Sequence, residues 1–486
     1  MRRIKTAQMT RNVLLYMGIV GVFAGAIWLL ILLGDQLPFT AQPGAVASPE
    51  ISGATPSGEN LLPAKPQSRY SFSLLLLQTI VILAIARTFG VLATKVGQQP
   101  VIGEIIAGIF LGPSLLGWMW PGATAFVFPE SSLPALQAIS QFGLIFFMFI
   151  IGTELDLGAM RSHSRGAVLI SHSTIAFSFF LGVVFAYLTY GAYSLPGVSF
   201  LSFALFMGIA LSITAFPVLA RILRERGLID TPLGALALTC AAIDDLTAWC
   251  LLAAVIAIVK AGSIAGAMMT FVLAVGYVLF MVFLVRTQVN RWMAKYLAPY
   301  RDSRIIVSGV FLVLLISAYL AEVIGIHALF GAFTAGVVMS EQTELKEALR
   351  EKLEDISLLV LLPVFFAYTG LRTQIGLLND AAMWGLCGVV ILLAMLGKFG
   401  GSSMITKLTG RPWQQALSLG ALMNTRGLME LIVLNIGYDL GILSPQIFAM
   451  LVLMALVTTF LTGPLLHLID WLFRVSAQTA ESLAKR

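Results

Sequence analysis

Cysteine, histidine and charge are all scarce in this sequence, and each shortage removes a class of function. The three cysteines, Cys240, Cys250 and Cys387, lie singly inside apolar stretches and read as small packing residues. The four histidines, His163, His172, His327 and His467, are scattered, with no HExxH and no Cys/His group at ligand spacing. No catalytic metal or other cofactor is therefore expected. No GxGxxG follows a strand-like run, which argues against nucleotide-gated regulation. No nucleophile, base and orienting partner converge, so the chain does not read as an enzyme. Charged residues make up 11% of the 486, against roughly 25% in soluble domains.

What the sequence has in abundance is apolar length. Hydrophobic residues reach 58%, and the mean hydropathy is +0.93. Runs of about 20 apolar residues recur along almost the whole chain, each long enough to cross a hydrocarbon core as a helix. The pattern predicts an all-α polytopic membrane protein of about fourteen spans, from 12–33 to 444–469. With the N-terminus in the cytoplasm, the outside loops keep only Lys65, Arg69, Lys260 and Arg372, and nearly every other Lys and Arg falls inside. The net charge of +6 thus reflects topology, with no nucleic-acid partner implied. The lipid bilayer is the expected surrounding: a multi-pass protein of the plasma (inner) membrane, both termini cytoplasmic if the first span is not cleaved. Arg87, Lys398 and Arg426 fall within spans and need separate explanations.

The first span stands apart. Residues 1–34 read as a signal anchor or a signal peptide: the Ala45-Val46-Ala47 sequence resembles a cleavage site but lies well beyond the apolar run. Residues 35–70 are rich in Pro, Gly, Ser and Ala and read as an external linker. Residues 71–470 form one transport body of about thirteen spans, and 471–486 a short cytoplasmic tail without room for a regulatory domain.

Asp244 and Asp245 sit side by side in the middle of LGALALTCAAIDDLTAWCLLAAVIAIV with no cation nearby in sequence. One carboxylate at bilayer depth costs roughly 2.5–3.5 kcal/mol on insertion scales, and two adjacent ones also repel. At least one should therefore exchange a proton near neutral pH, and a chain carrying such a pair through a membrane moves protons, cations or both. The alternative is a structural pair satisfied by neighbouring helices. Two spans are interrupted at similar depth. ALSITAFPVLARIL, in span 199–223, holds Ser212, Thr214 and Pro217, and Pro217 removes a donor and disfavours helix before it. GALMNTRGLMELIVLNIG, in span 413–437, holds Asn424, Thr425, Arg426 and Gly427. Irregular backbone at this depth is tolerated where it lines a cavity, and its freed carbonyls can hold a cation. The two spans are the fifth and twelfth counted from residue 71, so they run in opposite directions, as an inverted repeat with two crossed broken helices requires.

Lys398, near the centre of its span, is the natural counter-ion for Asp244, which leaves Asp245 as the exchangeable carboxylate. Successive helical positions point about 100° apart, so the two acids can face different neighbours. A monovalent cation, Na⁺ or K⁺, would then displace the Asp245 proton, with Thr214 and the unwound backbone near Ser212 adding oxygen ligands. Arg426 and Glu430, four apart, share one helical face beside the second break. Glu104, Glu154, Asp156 and Glu322 read as gating, capping or interface residues, and His327 as a packing histidine.

QQPVIGEIIAGIFLGPSLLG, GLIFFMFIIGTELDL, LSITAFPVLARIL, AAIDDLTAW, GIHALFGAFTAGVVM, LLPVFFAYTGLRT and MNTRGLMELIVLNIG occur in this order over residues 71–470. Together they resemble the monovalent cation:proton antiporters, nearest the branch of bacterial Na⁺/H⁺ and K⁺/H⁺ antiporters and plant cation/H⁺ exchangers. The resemblance implies a transport domain with the two crossed broken helices, a scaffold domain that forms a homodimer, and elevator-like alternating access. It implies that Asp245 carries the ion, that Asp244 pairs with Lys398, and that Thr214 serves the first break. Plant exchangers usually have Asn where this chain has Asp244, and potassium-efflux relatives carry a cytosolic nucleotide-binding domain that this chain lacks. A cation channel or sensor on the same fold is the alternative.

Overall fold

The protein is seen in a computed structural model that describes residues 2–37, 72–154, 157–229, 231–261, 264–289, 291, 303–339 and 355–484. Most of the 35–70 linker and Asp156 lie outside them, as does the side chain of Glu154. Every regular element among the described residues is helical. Among the described residues, twelve helices are long and apolar enough to cross a membrane, and one further pair, bent by 44°, makes a broken span.

The elements are α1 (Arg2–Gly34), α2 (Phe72–Lys95), α3 (Pro100–Leu111), α4 (Leu133–Glu154), α5 (Leu157–Tyr193), α6 (Phe200–Ser212), α7 (Phe216–Glu225), α8 (Pro232–Ala261) and α9 (Ile264–Leu279). They continue with α10 (Ser303–Ile324), α11 (Ala328–Met339), α12 (Leu362–Arg372), α13 (Ala381–Met395), α14 (Gly401–Leu408), α15 (Trp413–Met423), α16 (Leu428–Asp439) and α17 (Pro445–Ala484). α11, read as a span over 326–340, is described over Ala328–Met339. It turns back on α10 through Gly325 and His327, both with positive φ (97° and 78°). α17 runs on past residue 470 to Ala484.

The helices sort into two bundles. α2, α3, α4, α10, α11 and α12 pack on one another, whereas α1, α5 to α8 and α13 to α17 form a second group. α9 bridges them, touching α8 on one side and α10 on the other. Within lipid, packing relies on close approach of small residues, because tails and apolar side chains are equally apolar. α4 and α11 meet this way: a Cβ on Gly336 would lie 2.2 Å from the Phe149 carbonyl oxygen, and one on Gly152 2.3 Å from that of Phe333. The second bundle contains both interrupted spans and the adjacent acids.

Candidate ion site

α8 begins at Pro232 and crosses without interruption, so Asp244 and Asp245 lie deep inside it. Adjacent positions on a helix face different directions, and the two acids meet different partners. Asp244 is fully buried. Its Oδ2 accepts from Lys398 Nζ at 2.7 Å, and its Oδ1 accepts from the Ser171 hydroxyl of α5. Lys398, also fully buried, sits in a π-helical turn, Leu396–Gly400, between α13 and α14. Such turns widen the helix and are common at functional positions. A buried pair of this kind holds because both charges are matched and a further hydrogen bond satisfies the carboxylate.

Asp245 is 4% exposed, and neither carboxylate oxygen has a hydrogen-bond partner among the described residues. The Phe216 N–H, at the start of α7, faces it without completing a hydrogen bond. The first break is thus beside this carboxyl. It covers residues 213–215, where Ile213 (ψ 140°) and Ala215 (ψ 104°) are extended. Pro217 lies in the first turn of α7, where a missing N–H leaves nothing unsatisfied.

Backbone groups released at one break are taken up by the other. The Ala215 N–H donates to the Thr425 carbonyl at 3.0 Å, and the Thr214 hydroxyl donates to the Met423 carbonyl at 2.9 Å. Arg426 reaches back across the junction: Nη1 donates to the Ala210 carbonyl (2.7 Å) and Nη2 to that of Leu211 (2.8 Å). These carbonyls end α6 and have no helical donor, so the guanidinium caps the negative end of that helix. Nη1 also pairs with Glu430 Oε2 at 2.5 Å, with both side chains fully buried. Gly427 allows the close approach: a Cβ there would lie 2.6 Å from Val218 Cγ2 of α7. Asn424 Nδ2 donates to the Thr458 carbonyl (3.2 Å), leaving its buried Oδ1 without a partner among the described residues.

The fold therefore joins Thr214, Asn424, Arg426, Gly427 and Glu430 at one junction, and joins Asp244 to Lys398. Ser212 is turned away, donating to the Ile209 carbonyl of its own helix at 2.9 Å. Reading the sequence missed Ser171 and Thr459. The Thr459 hydroxyl accepts from the Arg426 N–H and donates to the Arg426 carbonyl, both at 2.9 Å. The polar run Ser171-His172-Ser173-Thr174 in an apolar span and the Thr458-Thr459 pair were the available signals. Outside the site, Arg87 Nη2 donates to the Leu359 carbonyl (3.0 Å) in a second π-helical turn, Ser357–Leu361. Glu322 accepts from the Ala328 N–H (2.8 Å) and pairs with Lys260 (3.5 Å). Burial holds the His327 imidazole below its ordinary range, with Glu322 opposing.

Comparison with known proteins gives the family and the fold. The family described as sodium/hydrogen exchanger, transmembrane, matches residues 80–470. The chain is 45% identical over 393 residues to the Na(+)/H(+) antiporter NhaS4 of Synechocystis sp., covering 81% of this chain and 96% of that protein. It is 40% identical over 410 residues to Cation/H(+) antiporter 20 of Arabidopsis thaliana, and 34% identical over 427 residues to K(+)/H(+) antiporter 1 of Saccharomyces cerevisiae. Those matches cover 81% and 86% of this chain but 48% of each relative, so the chain spans about half the length of the plant and yeast proteins. The solved structure of the sodium proton antiporter MjNhaP1 from Methanocaldococcus jannaschii shares the fold, with a TM-score of 0.61 at 14% identity over 82% of this chain and 97% of that one. The chain belongs to the sodium/hydrogen exchanger family of membrane cation/proton antiporters.

Proposed function

We propose that the protein is a secondary active transporter that exchanges Na⁺ or K⁺ for protons by alternating access, with Asp245 as the carboxylate that cation and proton occupy in turn. The carrying observation is the inequality of two adjacent buried acids. Asp244 has Lys398 and Ser171, whereas neither Asp245 oxygen has a hydrogen-bond partner among the described residues, and the carboxyl lies beside a broken helix. A bare carboxylate so deeply buried costs several kcal/mol, so it is stable only with a proton or a cation on it. Both compete for the same oxygens, and that competition is what couples their movement.

A hard monovalent cation takes oxygen ligands. Beside Asp245, the candidates are the Thr214 hydroxyl oxygen, the carbonyls released over 213–215 and, after a rotamer change, the Ser212 hydroxyl. Arg426, Glu430 and Asn424 hold the two breaks together. In this reading the bundle with the acids moves against the other bundle, exposing Asp245 to each side alternately. The α2–α4 and α10–α12 bundle is the scaffold of a homodimer in the inner membrane, with both termini in the cytoplasm.

The test is dequenching of a pH-sensitive dye in vesicles carrying an imposed pH gradient, with Na⁺, K⁺ and Li⁺ compared. The wild type should collapse the gradient on cation addition, and Asp245→Asn should reduce this to background. Exchange that survives in Asp245→Asn removes that residue from the mechanism. Cation flux without proton counter-movement would replace antiport with a channel.

A further inference from the structure

α1 precedes the family match, which begins at residue 80. It is nonetheless seated along the helix that serves Asp244. Phe23 lies against Phe177 and Phe180 of α5 (ring centroids 5.2 and 5.5 Å), Gly34 abuts Phe200 of α6, and Ile27, Leu30 and Ile31 join the main core. At the other end, Tyr16 of α1 meets His172, the residue next to Ser171.

The hydrogen bonds there have a definite order. Thr247 of α8 donates its one hydroxyl proton to the Ile243 carbonyl at 2.7 Å. At 3.2 Å from His172 Nε2 it must therefore accept, which places the ring proton on Nε2. The neutral ring then offers Nδ1 as an acceptor, and the Tyr16 hydroxyl donates to it at 3.1 Å. The line Tyr16–His172–Thr247 ties α1, α5 and α8 together one residue from the Ser171–Asp244 bond. Without α1, Nδ1 of this half-buried ring would face hydrocarbon with no donor.

We propose that α1 is a working part of the transport bundle, and that Tyr16 and His172 are positioning residues for Asp244, acting through Ser171. Pinning His172 from both sides fixes the rotation of α5 against α8 and holds the Ser171 hydroxyl on Asp244 Oδ1. When α5 slips, Asp244 loses the donor that orients its carboxylate, and Oδ2 is no longer held in line with Lys398. The ammonium then competes for Asp245 with the arriving cation. This inference rests on the antiport reading for its transport readout but not for its structural one.

The test uses the full-length protein in vesicles, with Na⁺ or K⁺ titrated at fixed pH, for wild type, Tyr16→Phe, His172→Ala, His172→Gln and Tyr16→Phe/His172→Ala. Loss of one buried hydrogen bond should raise the half-saturating cation concentration by about 2- to 10-fold in Tyr16→Phe and His172→Ala, with little change in maximal rate. His172→Gln, which keeps a donor and an acceptor, should recover most of the loss, and the double variant should match His172→Ala. Unchanged half-saturation with only a lowered melting temperature would show a purely structural contact and overturn the proposal. So would a purified protein whose mass lacks α1. If the wild type exchanges no cation, the antiport reading fails, whereas strictly additive melting shifts for Tyr16→Phe and His172→Ala overturn this proposal by themselves.

Discussion

Lys398 and Asp244 illustrate how much one buried charge depends on its partner. Lys398→Ala would leave the Asp244 carboxylate in an apolar interior with only the Ser171 hydroxyl. Breaking such a pair costs about 3–5 kcal/mol, so the variant should melt far below the wild type in detergent. Lys398→Met with Asp244→Asn removes both charges and should regain most of that stability, which a four-variant melting cycle would show. The exposed Lys260–Glu322 pair makes the contrast, because water screens it: Glu322→Gln should change stability by less than about 1 kcal/mol. His327 gives a pH prediction. Since burial disfavours its charged form, it stays neutral at neutral and alkaline pH, and any stability it adds is lost only as pH falls through and below its unfolded value of about 6.5. His327→Gln should therefore leave the exchange rate between neutral and alkaline pH unchanged.

At the scale of the element, the two breaks were legible because Pro217 and the Asn424 to Gly427 run are poor helix formers at bilayer depth. What closes the junction was not. Arg426 caps α6 through the carbonyls of Ala210 and Leu211, more than two hundred positions away. Arg426→Ala should release that helix end and strand the buried Glu430, costing about 3–5 kcal/mol and abolishing exchange. Arg426→Lys should restore little, since an ammonium does not reproduce a planar fork on three acceptors. The α4–α11 crossing is sensitive for another reason. Gly336→Ala puts a methyl 2.2 Å from a backbone oxygen, so the helices must separate. A loss of about 1–3 kcal/mol is expected in thermal melts.

For the whole molecule, the relevant feature is the set of polar ties between the two bundles, which among the described residues include the exposed Lys260–Glu322 pair. At one end, Arg372 of α12 pairs with Asp439 of α16 (2.5 Å) and donates to Asn435 (3.1 Å), while Gln137 of α4 donates to Asp439 (3.0 Å). Asn435 in turn donates to Thr369 of α12 (2.8 Å). Near the opposite end, buried Gln99 donates to the Val218 carbonyl (2.9 Å). A cavity of about 980 Å³ lies between the bundles, lined by Cys250, Phe330 and Leu440 among others. If the bundles move past each other, the Arg372 cluster must open. Asp439→Asn removes a partly exposed pair (15% and 32%) worth about 1 kcal/mol, enough to raise an open population roughly fivefold. Cys250, which lines that cavity, is exposed while Cys240 and Cys387 are buried, so its maleimide labelling reports on the cavity and should change by up to a similar factor. Exchanging the charges of Arg372 and Asp439 should return it to the wild-type rate.

The sequence by itself determined the helices, the depth of the two acids, the presence of Lys398 and Arg426 at membrane depth, and the positions of both breaks. These follow from hydropathy and backbone chemistry, which are local. The Asp244–Lys398 pairing across 154 positions was already suggested by two opposite charges at membrane depth, and only the tertiary structure decided that Asp245 has no hydrogen-bond partner among the described residues. It also decided that Ser171 and Thr459 belong to the site, that α1 docks by Tyr16, and that the helices divide into two bundles. The reason is that the rotation of a membrane helix is scarcely written in its hydropathy. Lipid-facing and buried faces are both apolar, so the pattern that sets a soluble helix against its core is nearly absent here. Which polar side chain meets which is left to packing between helices far apart in the chain.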